Sequence, residues 1–186
     1  GLLSDIALEK RMIFKYFNES SIGIVNGDQP LLSDVSYVHP ILKFGMKTTN
    51  QIQVRKVRYT NAQVSFILKI YGDKYAVTLE KPHTGQLFNA LAAAAVACHL
   101  GIDNRLIVEA IQKPLHVEGR FEECFLKSGA MLINDCYNAS PESVKSALLA
   151  FGHVKAGARK IAVIGDMLGL GVNSPFWHRQ VGRFLR

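Results

Sequence analysis

The chain has 186 residues, of which 48% are hydrophobic and 20% are charged, with a formal net charge of +7. This is enough apolar material for one full domain or for parts of two, and it predicts a globular fold. No charged-then-apolar start resembles a signal peptide, and the longest apolar stretch, around 90–98, is too short to span a bilayer. We therefore expect a cytoplasmic protein without membrane insertion.

The cysteines bear on disulfides and zinc binding, and the positive charge bears on the kind of ligand that the chain could bind. Cys98, Cys124 and Cys136 are odd in number and form no CxxC pair, so neither a disulfide framework nor a zinc site is indicated. The net charge fits an anion, whether nucleic acid, nucleotide phosphates or a sugar nucleotide. The basic residues are scattered, with short concentrations at 55–58 and 155–160, and do not alternate with aromatic residues. Nucleic-acid binding is therefore not expected.

The first part of the chain shows helix and strand patterns in alternation, followed by a strand-rich stretch. Mixed three- and four-residue spacings indicate helices, alternating β-branched residues indicate strands, and turn residues separate them. In chain order the patterns predict an amphipathic helix at Ser4 to Phe17, buried strands at Ser21 to Val25 and Ile41 to Phe44, and an antiparallel meander from Gln51 to Leu79 with turns at 60–62 and 72–73.

Two adjacent helices are predicted next. Residues 86–100 are apolar nearly all round, which is typical of a helix packed on more than one side, and Asn89 is their strongly polar exception. Asp103 can cap a second helix, and Pro114 ends it.

The pattern changes near 115–119, where we place a domain boundary between residues 1–117 and 118–186. Ala130 to Ile133 and Ile161 to Ile164 are predicted to be buried strands, each followed by a helix. The first of these helices starts at Ser140-Pro141-Glu142, an N-cap, a first-turn proline and an acidic residue. Strand, helix, strand and helix predict a parallel α/β sheet.

The run Asn134-Asp135-Cys136-Tyr137-Asn138-Ala139-Ser140-Pro141 joins a predicted strand to a helix N-terminus. Open α/β sheets usually bind ligands at this point. A carboxylate there can accept hydrogen bonds from a ribose diol, and exposed helix amides can meet an anion. The alternative is that Asp135 and Asn138 only shape the turn.

Four motifs in order carry a family resemblance. They are FNALAAAAVACHLGI, VEGRFE, DCYNASPESVKSAL and RKIAVIGDMLGLG. Together they resemble the Mur ligases, and the Asp-x-Tyr-Asn-Ala-x-Pro pattern resembles the MurF type, which adds D-alanyl-D-alanine to UDP-N-acetylmuramoyl-tripeptide. The implied fold is α/β: the second half of the central ATPase domain (1–117), followed by the start of a Rossmann-like C-terminal domain (118–186).

The resemblance implies residue roles. Asn89 would contact the adenine, Asp135 the ribose, and Arg120 the γ-phosphate or the metal-bound phosphates, with Tyr137 and Asn138 in the same cleft. A guanidinium is a permanent planar donor that can offset charge developing in phosphoryl transfer, which makes Arg120 a catalytic candidate. The alternative for Arg120 is a surface arginine beside Glu118 or Glu122.

Lys10 lies in ALEKRMIF, which resembles the family segment whose lysine is typically carbamylated. Carbamylation replaces a cation with an anion that can hold Mg²⁺, so the resemblance implies a catalytic and metal-binding role. Glu9 and Met12 depart from the family pattern, and a solvated helix lysine is the alternative.

The reaction implied for a complete enzyme is ATP-dependent. The tripeptide's terminal carboxylate would be phosphorylated, and the amine of D-alanyl-D-alanine would attack the acyl phosphate. Phe44 to Thr49 contains only the tail of a P-loop-like string, and no GxxxxGK[ST] loop is present. We therefore expect this chain to be inactive alone, and we expect a monomer.

Other interpretations stay open at this point. Gly85 and Gln86 stand where the family usually has His-Asn, and Gly169 replaces a usual glutamate, so contacts at these positions are in doubt. The rival functions are another Mur ligase, a folylpolyglutamate synthase-like ligase, or a non-catalytic anion- or nucleic-acid-binding module.

Overall fold

The computed structural model describes residues 3–60, 63–80, 84–114, 117–154 and 159–185. Short 3-10 turns at Met12–Phe14 and Gly171–Asn173 accompany the regular elements. The helices are α1 (Leu3–Arg11), α2 (Pro30–Ser33), α3 (Thr84–His99), α4 (Asn104–Gln112), α5 (Pro141–His153) and α6 (Ser174–Phe184). The strands are β1 (Gly23–Asn26), β2 (Ile41–Gly45), β3 (Ile52–Tyr59), β4 (Gln63–Ile70), β5 (Asp73–Glu80), β6 (Glu122–Phe125) and β7 (Met131–Asn134).

The larger sheet has five strands in the order β1-β2-β3-β4-β5. β1, β2 and β3 run parallel, with Gly23 opposite Ile41 and Phe44 opposite Ile52. β3, β4 and β5 pair antiparallel, which confirms the predicted meander. A register shift between Arg55 and Arg58 marks a bulge in β3. Part of the predicted turn at 60–62 lies outside the described residues.

The core lies between this sheet and α3. Alternate residues of β4 point to the same face of the sheet, and there they are buried together with side chains of β2, β3 and β5. Leu87 and Leu91 are fully buried, and α3 contacts β1, β2 and β3. α3 also contacts α4 and α5. This packing confirms the prediction of an apolar helix covered on more than one side.

The caps of the later helices also follow the sequence. The Asp103 side chain accepts a hydrogen bond from the Arg105 amide at the start of α4. Ser140 caps α5, where its hydroxyl accepts from the Ser143 amide at 3.2 Å and the Ser143 hydroxyl accepts from the Ser140 amide at 2.8 Å. This reciprocal arrangement satisfies two amides at once.

The second half of the chain departs from the predicted parallel arrangement. β7 confirms the strand predicted at Ala130 to Ile133, but its partner is β6, which the sequence analysis missed, and the two pair antiparallel. Ile161 to Ile164 forms no strand in the described structure, and the Val163 side chain is 94% exposed. The prediction of a buried strand there was wrong, because an apolar run shows a capacity for burial and does not supply the neighbouring strand that its backbone needs.

The β6–β7 hairpin forms because its connection is short. The Leu126 amide donates to the Ala130 carbonyl and the Gly129 amide to the Leu126 carbonyl, both at 2.9 Å. Gly129 has a φ of +80°, which glycine adopts without steric strain. The hairpin places the loop after β7 directly beside the turn before β6.

None of the helices in the described part of the chain is long and apolar enough to cross a membrane.

Candidate functional site

The turn before β6 is docked onto the loop after β7 by two hydrogen bonds. The Phe121 amide donates to Asp135 Oδ1 at 3.0 Å, and the Tyr137 amide donates to the Gly119 carbonyl at 3.2 Å. These bonds join the VEGRFE segment to the DCYNASP segment. The structure therefore brings Arg120, Asp135 and Tyr137 together, as the resemblance implied.

Backbone conformation and burial hold this turn in place. Gly119 has a φ of +66° and Phe121 a φ of +51°, so a non-glycine residue occupies the left-handed region at Phe121. The Phe121 side chain is buried, and Glu122 Oε2 accepts from the Gly119 amide and from Asn134 Nδ2, each at 3.1 Å. Burial and hydrogen bonds together offset the cost of the left-handed conformation.

Arg120 lies between the two left-handed residues and projects over the Tyr137 ring. Its Cζ atom is 4.1 Å from the ring centroid, within the range of a cation–π contact. Both side chains are exposed, and no ion pair of Arg120 is recorded among the described residues. The exposed position of Arg120 is compatible with the alternative of a surface arginine beside Glu118 or Glu122, and its role stays a prediction.

Asp135 and Asn138 lie on the same exposed loop, but their side chains make different hydrogen bonds. Asp135 Oδ1 is occupied by the Phe121 amide, whereas Oδ2 has no recorded partner in the described residues and can accept further donors. Asn138 Oδ1 accepts from the Ala139 amide at 2.9 Å, which is the turn-shaping role. A ribose contact by Asp135 is thus geometrically open, and the ligand role of Asn138 stays a prediction.

The start of α5 is less suited to anions than the sequence suggested. In the capping box, the hydroxyl of each of Ser140 and Ser143 accepts a hydrogen bond from the backbone amide of the other, and Pro141 has no N–H. Glu142 then places a carboxylate in the first turn. The cap therefore uses the Ser140 and Ser143 amides, and the contact of helix amides with an anion at this point stays a prediction.

Lys10 and Asn89 lie on other elements. Lys10 is exposed near the end of α1, and Asn89 is exposed on α3, which contacts α5. Among the described residues, neither hydrogen-bonds or pairs with Arg120, Asp135 or Tyr137. No group of three or more His, Cys, Asp or Glu side chains in the described ranges could hold a metal ion.

The P-loop-like string at Phe44 to Thr49 has a structural explanation. Asp28 Oδ2 accepts from the Met46 amide at 2.6 Å, and Oδ1 accepts from the Lys47 amide at 2.9 Å and from Asn50 Nδ2 at 3.1 Å. Successive backbone amides of this kind form an anion nest. Here the anion is the chain's own carboxylate, which ties the carboxyl ends of β1 and β2 together.

The sequence analysis missed two residues that build these features. The sequence analysis gave Asp28 no role, and it named Glu122 only as a possible partner for Arg120. The signal for Asp28 is its position just after a strand, where a carboxylate can reach the amides following the neighbouring parallel strand. Glu122 gave no such signal, because its partners are fixed by the β6–β7 pairing.

His178 connects a loop to a helix through hydrogen bonds to the backbone. Its Nε2 accepts from the Met167 amide at 3.1 Å, and its Nδ1 lies 2.8 Å from the Ser174 carbonyl, to which it can donate. The ring therefore links the 165–170 loop to α6. Both ring nitrogens are engaged with the backbone, so the nearby Ser174 hydroxyl and Asp166 carboxylate do not form a hydrolytic triad.

Comparison with known proteins gives the family. The model described as "Mur ligase middle domain" matches residues 1–97, and "Mur ligase, glutamate ligase domain" matches residues 119–186. The chain belongs to the Mur ligase family. The predicted domain boundary at 117/118 falls in the stretch between the two matches and stays a prediction.

Several named relatives of the chain are ligases of the MurF type. The UDP-N-acetylmuramoyl-tripeptide--D-alanyl-D-alanine ligase of Bacillus subtilis is 31% identical over 183 residues, covering 98% of this chain and 39% of the relative. The ligase of the same name from Escherichia coli is 28% identical over 186 residues, covering 98% of this chain and 41% of the relative. The resemblance to the MurF type is confirmed.

The solved structures agree with this assignment. The MurF ligase from Thermotoga maritima in complex with ADP matches all of this chain with a TM-score of 0.82 and 28% identity, and 42% of that protein is covered. The α/β fold class, with parts of the Mur ligase middle and C-terminal domains, is confirmed. The chain spans about 40% of the length of the curated relatives.

Proposed function

We propose that this chain forms part of an ATP-dependent ligase that adds D-alanyl-D-alanine to UDP-N-acetylmuramoyl-tripeptide. The observation that carries the proposal is the assembly of Arg120, Asp135 and Tyr137 by the docked turn, on a chain whose relatives bear that ligase name. Other Mur ligases share the fold, so the proposal is tested through the choice of the amine substrate.

The two sides of the docked turn suit different parts of a nucleotide. Asp135 Oδ2 offers a carboxylate acceptor to a ribose diol, while Oδ1 stays fixed by the Phe121 amide. The exposed Arg120 guanidinium offers several donors for phosphate oxygens. Asn89, on the helix that contacts α5, would meet the adenine.

Among the described residues, no group of three or more His, Cys, Asp or Glu side chains could form a magnesium site made of protein ligands alone. In nucleotide sites Mg²⁺ is usually held by one or two carboxylates together with substrate phosphates and waters, so the nucleotide would supply most of its ligands. A carbamylated Lys10 would add a single anionic group at an exposed position. Lys10 would therefore supply at most one metal contact.

In the proposed reaction the nucleotide supplies a phosphoryl group that activates the tripeptide carboxylate as an acyl phosphate. The incoming amine then forms the amide bond and phosphate departs, with loss of one amine proton. Arg120 would offset negative charge that accumulates on the transferred group, because a guanidinium held in position needs little reorganisation. Asp135 would hold the ribose so that the phosphates lie within reach of Arg120.

We expect the 186-residue chain to show no ligase activity alone, because its described residues offer no backbone cradle for the phosphates. The described nest at 46–47 is filled by Asp28. Cytoplasmic location, a monomeric state and the absence of nucleic-acid binding stay predictions.

A chimeric ligase tests the proposal. Residues 1–186 replace the matched stretch of the Bacillus subtilis relative, and ADP release is measured with the tripeptide precursor and D-alanyl-D-alanine. We expect activity that requires both substrates and falls at least tenfold in Arg120→Ala, on the scale typical of lost transition-state donors. The control is Arg105→Ala, at an exposed position on α4.

Substrate and ligand panels separate the rivals. Activity with L-alanine, diaminopimelate or glutamate as the acceptor amine, and none with D-alanyl-D-alanine, would contradict the proposal in favour of another family member. Salt-sensitive binding of the chain to DNA or RNA, with no nucleotide binding, would instead support a non-catalytic module.

A further inference from the structure

We propose that Tyr137 is a positioning residue: its ring holds the Arg120 guanidinium at the site and does not itself contact the nucleotide base. The inference rests on the proposed function and adds to it, since the resemblance placed Tyr137 only as a lining residue of the cleft. Its basis is the 4.1 Å separation between Arg120 Cζ and the Tyr137 ring centroid.

The backbone on both sides of this contact is fixed. Arg120 lies between Gly119, whose carbonyl accepts from the Tyr137 amide, and Phe121, whose amide donates to Asp135. The Arg120 amide also donates to the Val117 carbonyl at 3.1 Å. The Cα atom of Arg120 therefore has a defined place, but its long side chain has several rotatable bonds and would otherwise sample open solvent.

Stacking on the Tyr137 ring limits the positions that the Arg120 guanidinium can occupy. Tyr137 follows Asp135 by two residues, so a guanidinium stacked on its ring stays over the same loop that carries the carboxylate proposed to hold the ribose. Among the described residues, Arg120 forms no ion pair with a carboxylate. An aromatic face attracts the cation without supplying a negative charge that would repel a phosphate.

The size of the effect follows from the exposed character of the pair. Tyr137 is 70% exposed, and contacts of this kind at exposed sites shift an equilibrium by roughly 2- to 5-fold. Loss of the ring should weaken phosphate binding by that factor. Contacts to adenine and ribose should persist, because they use Asn89 and Asp135.

The experiment compares ATP with AMP on the 186-residue chain. Amide chemical shifts at Asp135 and Asn138 are followed by NMR as either nucleotide is titrated into the millimolar range. The variants are Tyr137→Leu, which removes the ring, Tyr137→Phe, which keeps the ring face, and Arg120→Ala. Tyr71→Leu is the control, because Tyr71 is also an exposed tyrosine and lies in the turn between β4 and β5 of the larger sheet, away from Arg120.

We expect Tyr137→Leu to weaken ATP binding roughly 2- to 5-fold with AMP binding unaltered, and Tyr137→Phe to recover most of the loss. In the Arg120→Ala background, Tyr137→Leu should have no further effect on ATP binding. The Arg120 Hδ resonances should show an upfield ring-current shift that Tyr137→Leu abolishes.

Three results would overturn the inference. Equal losses of ATP and AMP binding in Tyr137→Leu would show direct contact with the base or a general structural role. Unaltered ATP binding in Tyr137→Leu would show that the ring does not position Arg120, while leaving the proposed function intact. An absence of shifts at Asp135 with either nucleotide would also overturn the inference for this chain, whereas the proposed function is tested separately by the chimeric ligase.

Discussion

Substitution of Gly27 by alanine tests how tightly the carboxyl ends of β1 and β2 are joined. A Cβ atom at Gly27 would lie 1.9 Å from Asn50 Oδ1, 2.8 Å from Asn50 Cγ and 3.1 Å from Lys43 Cβ. Asn50 is 2% exposed and donates to Asp28 at 3.1 Å, so its amide cannot swing into solvent. The new methyl group must therefore displace a buried side chain.

The magnitude combines two effects. Overpacking of a closed site costs about 1–3 kcal/mol, and loss of a hydrogen bond to a charged group costs about 1.5–3 kcal/mol. We expect Gly27→Ala to lower the free energy of unfolding by about 2.5–5 kcal/mol. Part of the strain can relax through movement of the 46–50 loop, which keeps the value below the upper end of the combined range, about 6 kcal/mol.

Urea unfolding followed by circular dichroism measures this change. Gly72→Ala is the matched control, because a Cβ there meets no atom within 4 Å and the residue lacks a left-handed φ. The control should lie within about 0.5 kcal/mol of the parent chain. A Gly27→Ala chain within 1 kcal/mol of the parent would refute the reasoning, since it would show that Asn50 yields freely.

Three further predictions concern helix α5 and Tyr37. Ser140→Ala should lower the free energy of unfolding by about 0.5–2 kcal/mol, because it removes the N-cap acceptor of α5; an unchanged urea midpoint would contradict this. Gly152→Ala, also in α5 and with open space around the new Cβ, should raise the free energy of unfolding by up to about 1 kcal/mol, which the urea midpoint also measures. Burial raises the pKa of Tyr37 despite the opposing effect of Arg11, so its stabilising contribution should be present below about pH 10 and lost as pH rises through the higher folded-state pKa. Tyr37→Phe should flatten that alkaline loss of stability in unfolding curves collected from pH 8 to 12, and an unchanged slope would count against burial as the cause.

Features specified by local sequence were predictable. The Ser140 cap and the Asp103 cap depend on residues within three positions, and both formed as expected. The meander from Ile52 to Glu80 follows from alternation and short connections. Where a hydrogen-bond partner is close in the sequence, the residue pattern is sufficient to predict the local structure.

Features that depend on distant partners were not predictable in the same way. Ile161 to Ile164 has the composition of a buried strand but lies exposed, because no neighbouring strand pairs with it in the described structure. The placement of Arg120 over Tyr137 also required tertiary structure, since the β6–β7 pairing brings the two segments together. The family motifs did indicate which residues to examine, although nothing in them specified the contact between the two side chains.

The Asp28 nest has a consequence for competition between anions. A phosphate approaching the Met46 and Lys47 amides must compete with a carboxylate that is part of the same chain. A tethered group of this kind acts at an effective concentration on the order of millimolar or above, whatever the concentration of protein in solution. A free anion can occupy the loop only if its affinity for these amides is high enough to displace the tethered Asp28 carboxylate. The chain itself therefore sets a lower limit on the affinity of any anion that binds at the end of its parallel strands.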